Sequence, residues 1–182
     1  LSDVETPQGV LAVISFDVKR IEDLDVDKKP FILLLDSVQD PGNLGTIIRT
    51  ADAFGIDGII VTEGCVDVYN PKVVRATMGS IFRVPIYHHD SGEDIIRKLK
   101  EKGAIVYSTS LEGKDFIQDV DFNKFALLII GNESKGVSNN LESLADKLIK
   151  IPMVGEAESL NAAVASSIIM YEVLRQRINK FL

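Results

Sequence analysis

The stretch that decides the fold is Phe31-Ile-Leu-Leu-Leu-Asp-Ser-Val-Gln-Asp-Pro-Gly-Asn-Leu-Gly-Thr-Ile-Ile-Arg-Thr-Ala-Asp-Ala-Phe54. Its first five residues are continuously apolar and too short for a helix, the pattern of a strand buried on both faces, as in parallel sheets. Its last twelve place Leu44, Ile47, Ile48, Ala51 and Phe54 at i, i+3, i+4, i+7 and i+10, which is one apolar helix face. Between them lies a polar loop rich in glycine and amide, ending at Asn43, which is placed to cap the helix.

The same alternation recurs outward from this unit. Gly58-Ile-Ile-Val61, Ala104-Ile-Val-Tyr107, Ala126-Leu-Leu-Ile-Ile130 and Leu148-Ile-Lys-Ile151 read as further buried strands. Residues 91–102 and 161–180 read as helices, the latter with Val164, Ile168, Tyr171, Leu174 and Ile178 in register as its apolar face. This predicts an α/β fold, a mainly parallel sheet with helices on both faces. Residues 10–15 read as an extra strand and Asp17 to Lys29 as a solvated, charged connection, so residues 1–29 are expected to lead into a main domain spanning 30–182. Because the chain begins at Leu1 rather than Met, it is expected to belong to a longer protein.

Ligands of open α/β sheets bind beyond the carboxyl ends of the strands, which directs attention to three loops. They are Asp36 to Gly45, Gly131-Asn-Glu-Ser-Lys-Gly136, and Pro152-Met-Val-Gly-Glu-Ala-Glu-Ser-Leu-Asn161. In the first, Arg49 lies off the apolar face about one turn from a glycine-rich helix start, where anions are favoured and a guanidinium can fork onto a phosphate or hold a hydroxyl. A solvated arginine is the plain alternative. The second loop has its glycines five apart and Ser138 in place, as a P-loop does, but Val137 stands where the phosphate-binding lysine belongs. A tight turn needing glycine at positive φ is the plain reading, with Glu133 a cap or surface carboxylate. In the third, Ser159 and Asn161 precede a long helix, and one cap suffices for one helix start.

Composition sets the outer bounds. With 182 residues, 46% hydrophobic and 26% charged, the chain can bury a sizeable core. Its formal charge of −7 and the absence of a basic tail or stripe exclude a free-standing nucleic-acid clamp, so any polyanion site is local. The single cysteine, Cys65, excludes an internal disulfide framework and multi-cysteine zinc sites, and points to a reducing, cytoplasmic setting. Cys65 falls in a loop with no histidine near it in sequence, which argues against a nucleophile. His88 and His89 are neighbours in an extended segment and so point to opposite faces, with nothing to complete a ligand set. No metal is expected, and no membrane span.

Taken together, the loops resemble the three signature motifs of the SpoU, or TrmH-like, family of RNA ribose 2′-O-methyltransferases in the SPOUT superfamily. Asn43-Leu-Gly45 with Arg49-Thr-Ala51 and Phe54-Gly55 is similar to the first motif. Ile130-Gly-Asn-Glu133 with Gly136-Val-Ser138 is similar to the second, and Ile151-Pro-Met153 with Gly155 and Ser159-Leu-Asn161 to the third. Pro71 to Gly79 followed by Phe82-Arg-Val-Pro85 also resembles a segment of that family, so the likeness runs in order from residue 30 to 175. After Asn161 the chain reads Ala-Ala-Val-Ala, where the family commonly has valine and serine.

The resemblance implies a deep carboxyl-terminal trefoil knot holding S-adenosylmethionine, with Thr109, Gly131, Ile151 and Leu160 as cofactor-binding residues. It implies Arg49 acting on the ribose 2′-hydroxyl, with Asn43, Glu133, Ser159 and Asn161 orienting hydroxyl, phosphate and loops. A guanidinium stays protonated at neutral pH, so Arg49 is expected to position rather than accept a proton. The implied partners are a structured RNA, rRNA ahead of tRNA, and a second copy of the chain. The resemblance also implies that many relatives carry an upstream RNA-binding domain. The competing readings are a non-catalytic RNA-binding or ribosome-assembly module on the same fold, and a nucleotide-binding enzyme, against which Val137 speaks.

Overall fold

The computed structural model describes residues 20–178 together with Gly9, Val13 and Ser15. Of the strand expected over residues 10–15 only Val13 and Ser15 are described, and neither is in a strand; the last residues of the helix expected to reach 180 lie outside the described residues. The strands are β1 Phe31–Leu35, β2 Gly58–Thr62, β3 Ile86–His89, β4 Ile105–Thr109, β5 Asp115–Phe116, β6 Ala126–Ile130 and β7 Lys147–Lys150. The helices are α1 Pro41–Phe54, α2 Pro71–Ala76, α3 Gly92–Glu101, α4 Asn139–Glu142 and α5 Ala162–Ile178.

The strands form one sheet in the order β3-β2-β1-β6-β4-β7-β5, and every pairing is parallel. β1 lies inside the sheet between β2 and β6, and all five of its side chains are fully buried. Its alternation divides the core. Phe31, Leu33 and Leu35 face a layer formed by Leu44, Ile47, Ile48 and Ala51 of α1 with Ile169, Met170 and Val173 of α5. Ile32 and Leu34 face Ile95, Ile96 and Leu99 of α3 with Leu141 of α4. Helices thus cover both faces, and each large apolar side chain so buried is worth roughly 1.5–3 kcal/mol.

Three local readings need correction. The cap of α1 is Asp40, whose Oδ1 accepts from the Asn43 amide at 2.7 Å, while Asn43 lies inside the first turn. Pro at the first helical position, directly after Asp40, explains the earlier start, because its missing N–H needs no partner there. On α5 the expected stripe is the outward one: Val164, Ile168, Tyr171 and Ile178 are exposed, and Ala163, Ser166, Ile169, Met170 and Val173 are buried. The charged connection is partly structured, with 3-10 turns at Ile21–Asp23 and Val26–Lys28 and Ile21 buried against Ile32 and Leu34. Among the described residues, no helix is long and apolar enough to cross a membrane.

Candidate active site

The site is built at the carboxyl edge of the sheet, where β1, β6, β4 and β7 release their loops side by side. After β6, the turn at 131–136 closes on itself: the Asn132 amide donates to the Gly136 carbonyl and the Gly136 amide to the Asn132 carbonyl, both at 2.9 Å. Gly136 has φ 71, as a tight turn requires. Gly131 is required for a different reason, since a Cβ there would overlap the backbone of Gly136 and Val137. The Asn132 side chain accepts from Ser134 and Lys135 and donates to the Ser37 carbonyl at 2.8 Å, tying this turn to the loop after β1.

Glu133 makes the second tie. Its carboxylate accepts from the Asp40 amide at 3.0 Å, the Gln39 amide at 3.3 Å and Asn43 Nδ2 at 2.9 Å. Asn43 Oδ1 in turn accepts from Asn161 Nδ2 at 2.9 Å, and Asn161 Oδ1 caps α5 through the amides of Ala163 and Val164. One side-chain relay, Glu133 to Asn43 to Asn161, therefore joins all three motif loops. Partial burial works to raise the Glu133 pKa, but the bonds from Asn43 and the backbone amides outweigh it and hold the carboxyl below its ordinary value. Glu133 is more than a surface carboxylate.

Arg49 projects from the exposed side of α1 and, among the described residues, takes no hydrogen bond or carboxylate. Ser159 is also exposed and lies outside the relay, so the helix start needs only Asn161. Of the residues expected to hold a cofactor, Thr109 ends β4, Gly131 follows β6 and Ile151 follows β7. These strands are neighbours, so the three lie along one edge, and Leu160 sits half-buried at the end of the third loop. Residues 152–159 are exposed, and the backbone of 152–160 makes no hydrogen bond among the described residues. A loop of uncommitted amides and carbonyls beside three strand ends fits a ligand recognised by backbone groups.

Sequence reasoning passed over Asp36 and Asn132. Asp36 is buried after β1 and its Oδ2 accepts from the Ser138 amide at 2.7 Å, binding the first and second loops together. The first polar residue after each of these two buried strands was the available signal. Cys65 is plugged between the Val38 amide and the Leu35 carbonyl, both at 3.3 Å, and burial pushes its thiol pKa up, opposite to what a nucleophile needs. His88 and His89 lie on β3, the edge strand, and among the described residues no three potential ligands group around a metal position.

Fold and site together define a parallel α/β domain whose three glycine- and amide-bearing loops are knitted at the carboxyl edge of the sheet. A family model described as the SpoU rRNA Methylase family matches residues 30–171, and the chain belongs to that family. It is 38% identical over 180 residues to the 23S rRNA (uridine(2479)-2′-O)-methyltransferase of Streptomyces viridochromogenes, covering 96% of this chain and 63% of that one. It is 39% identical over 173 residues to the 23S rRNA (guanosine(2553)-2′-O)-methyltransferase RlmP of Bacillus subtilis, covering 95% and 67%. The chain thus spans about two thirds of the length of these relatives. Among solved structures, the SpoU methyltransferase AviRb of S. viridochromogenes in complex with AdoMet superposes with a TM-score of 0.83 at 38% identity, covering 90% of this chain and 66% of AviRb. An AdoMet-bound rRNA methyltransferase of Sinorhizobium meliloti gives 0.82 at 40% identity, covering 87% and 61%.

Proposed function

We propose that this chain is an S-adenosylmethionine-dependent RNA methyltransferase that transfers a methyl group to a ribose 2′-hydroxyl, with rRNA as substrate ahead of tRNA. The observation that carries it is the relay from Glu133 through Asn43 to Asn161, which holds the three loops as one unit at the start of the helix that carries Arg49. The relatives named as 23S rRNA 2′-O-methyltransferases support the substrate class.

The cofactor residues are Thr109, Gly131, Ile151 and Leu160, along the ends of β4, β6 and β7, with the free backbone of 152–160 offering the hydrogen bonds. When bound, S-adenosylmethionine supplies a methyl already activated by its sulfonium. The chain's own residues then have positioning to do. Arg49 holds the hydroxyl or its neighbouring phosphate in line, and Asn43, Glu133 and Asn161 keep the loops in register. Ser159 is assigned to the acceptor side. Such alignment supplies up to roughly 7–11 kcal/mol in the best intramolecular cases. The knotted carboxyl-terminal threading of the family, a catalytic unit over 30–182, and a cytoplasmic setting complete the reading. A second copy of the chain is assigned to the outward stripe of Val164, Ile168, Tyr171 and Ile178, which is apolar and extended by the Phe54 ring against Tyr171 at 5.9 Å.

Calorimetry with S-adenosylmethionine, S-adenosylhomocysteine and ATP tests the cofactor assignment, and saturable binding of the first two alone is expected. Arg49→Ala should then lower methyl transfer to unmodified 23S rRNA by roughly 10²–10³-fold, the scale of one lost transition-state contact, with cofactor affinity unchanged. Equal loss of cofactor binding would move Arg49 to the cofactor side.

A further inference from the structure

The chain has seven arginines, and five are held by carboxylates: Arg20 by Asp23, Arg83 by Asp52, Arg97 by Glu93, Arg175 by Glu172 and Arg177 by Asp57. Among the described residues, the two left without one are Arg49 and Arg75. They are on helices packed against each other. Gly45, Arg49 and Asp52 fall at i, i+4 and i+7, one face of α1. A Cβ on Gly45 would overlap Ala76 of α2, so the absent side chain lets α2 seat against that face. Asp52 is forked by Arg83, with Nη2 at 2.6 Å and Nε at 2.9 Å, and also accepts from Ser80 Oγ at 2.8 Å. The segment 71–83 is therefore clamped to α1 on both sides of Arg49, at Gly45 before it and at Asp52 after it.

What this segment presents is cationic. Residues 68–89 contain no Asp or Glu, the longest such run in a chain with 27 acidic residues. Lys72 and Arg75 lie at i, i+3 on α2, both exposed and both without a carboxylate partner among the described residues. Phe82, 65% exposed, adds a ring on the turn that follows. In a protein of charge −7, a carboxylate-free segment clamped beside the helix of an arginine that has no carboxylate partner among the described residues is the complement of a phosphate backbone.

We propose that Lys72 and Arg75 bind backbone phosphates of the RNA next to the ribose presented to Arg49, with Phe82 as a stacking surface for an adjacent unpaired base. This rests on the methyltransferase reading above and names its RNA-contacting surface. Arg75 is a positioning residue, acting through the placement of the substrate.

The test uses in vitro transcribed 23S rRNA, with binding measured across a salt series and methyl transfer measured from labelled S-adenosylmethionine. Arg75→Gln should weaken RNA binding roughly tenfold, and Lys72→Gln with Arg75→Gln should flatten the slope of log K against log salt by about 1.4–1.8, for two contacts at 0.7–0.9 each. KM for RNA should rise while kcat and S-adenosylhomocysteine affinity stay within about twofold. Arg75→Lys should recover part of the affinity, since a phosphate contact tolerates a point charge. The control is Lys98→Gln with Lys102→Gln on and after α3, removing the same charge elsewhere. An unchanged salt slope in the α2 variant, or the same flattening in the control, overturns the proposal. Failure of the wild-type chain to methylate while the slopes still differ would overturn the enzyme reading and leave the RNA surface standing.

Discussion

The two loops that follow β6 and β7 leave the same edge of the same sheet, yet one is saturated with hydrogen bonds and the backbone of the other makes none among the described residues. Residues 131–136 close a backbone pair, anchor Asn132 to the loop after β1 and lock Glu133 onto Asn43. Residues 152–160 are exposed and their backbone is uncommitted among the described residues. The difference teaches a division of labour. On the proposed reading, the turn that registers Asn43 must be held to a fraction of an ångström for in-line transfer, and its order is written into the fold. On the same reading, the loop that carries Leu160 must admit and release a ligand each turnover, and its backbone hydrogen bonds are left for that ligand.

The comparison breaks most severely at Gly131. Adding a methyl there forces Cβ into the backbone of Gly136 and Val137, which no side-chain rotation relieves. Gly131→Ala is expected to cost on the order of 3 kcal/mol, at the top of the usual range for overpacking. Chemical denaturation reads it directly. A cost under about 1 kcal/mol would show that the turn yields and is not the rigid half of the site.

A smaller effect is expected at Glu133. Glu133→Gln keeps the shape and removes the charge, and because the carboxylate is partly exposed the loss should be about 1 kcal/mol. Its pH dependence has a definite sign. The native carboxyl is held below the ordinary value of 4.5, so the folded state binds fewer protons than the unfolded one. The stability this contributes is present above about pH 4.5 and is lost as pH falls through the native pKa. The gap between wild type and Glu133→Gln should therefore be full at pH 7 and shrink below pH 4.5. A gap that persists at pH 3 would place the effect in packing.

How much of this was legible in the sequence depended on burial. β1 and β6 are buried on both faces and read as uninterrupted apolar runs whose ends match the structure. β3, Ile86–His89, is an edge strand with two histidines, and β5 is two residues long, so neither leaves a run to read. α5 was found as a helix but turned the wrong way, because it is apolar on two faces and periodicity cannot rank them. The small residues Ala163 and Ser166 are what let the true inner face pack close. Asn43, Glu133 and Asn161 could be picked out one by one from their loops. Their relay could not, since it joins residues 90 and 118 apart and depends on how three strands are ordered. Arg49 was visible as an arginine off the apolar face near a glycine-rich helix start and in the first motif, and its lack of a carboxylate partner among the described residues emerges from the folded chain.

The smallest effect sharpens the comparison from the open side. Gly155 has open space around it, with nothing within 4 Å of where a Cβ would stand, so Gly155→Ala should change stability by less than about 0.5 kcal/mol. Its value lies in contrast with Gly131, a glycine of the same edge where the same methyl is intolerable. Amide exchange carries the argument further. With no internal acceptor, the amides of 153–160 should exchange near the rate of an unstructured chain in the free protein, while those of Asn132 and Gly136, each bonded at 2.9 Å, should be protected. Saturating S-adenosylhomocysteine should slow the first group by at least roughly tenfold and leave the second little changed, because only the first acquires new partners. Were the 153–160 amides already protected without ligand, the loop would be held by contacts of its own, and the assignment of its backbone to the cofactor would fall.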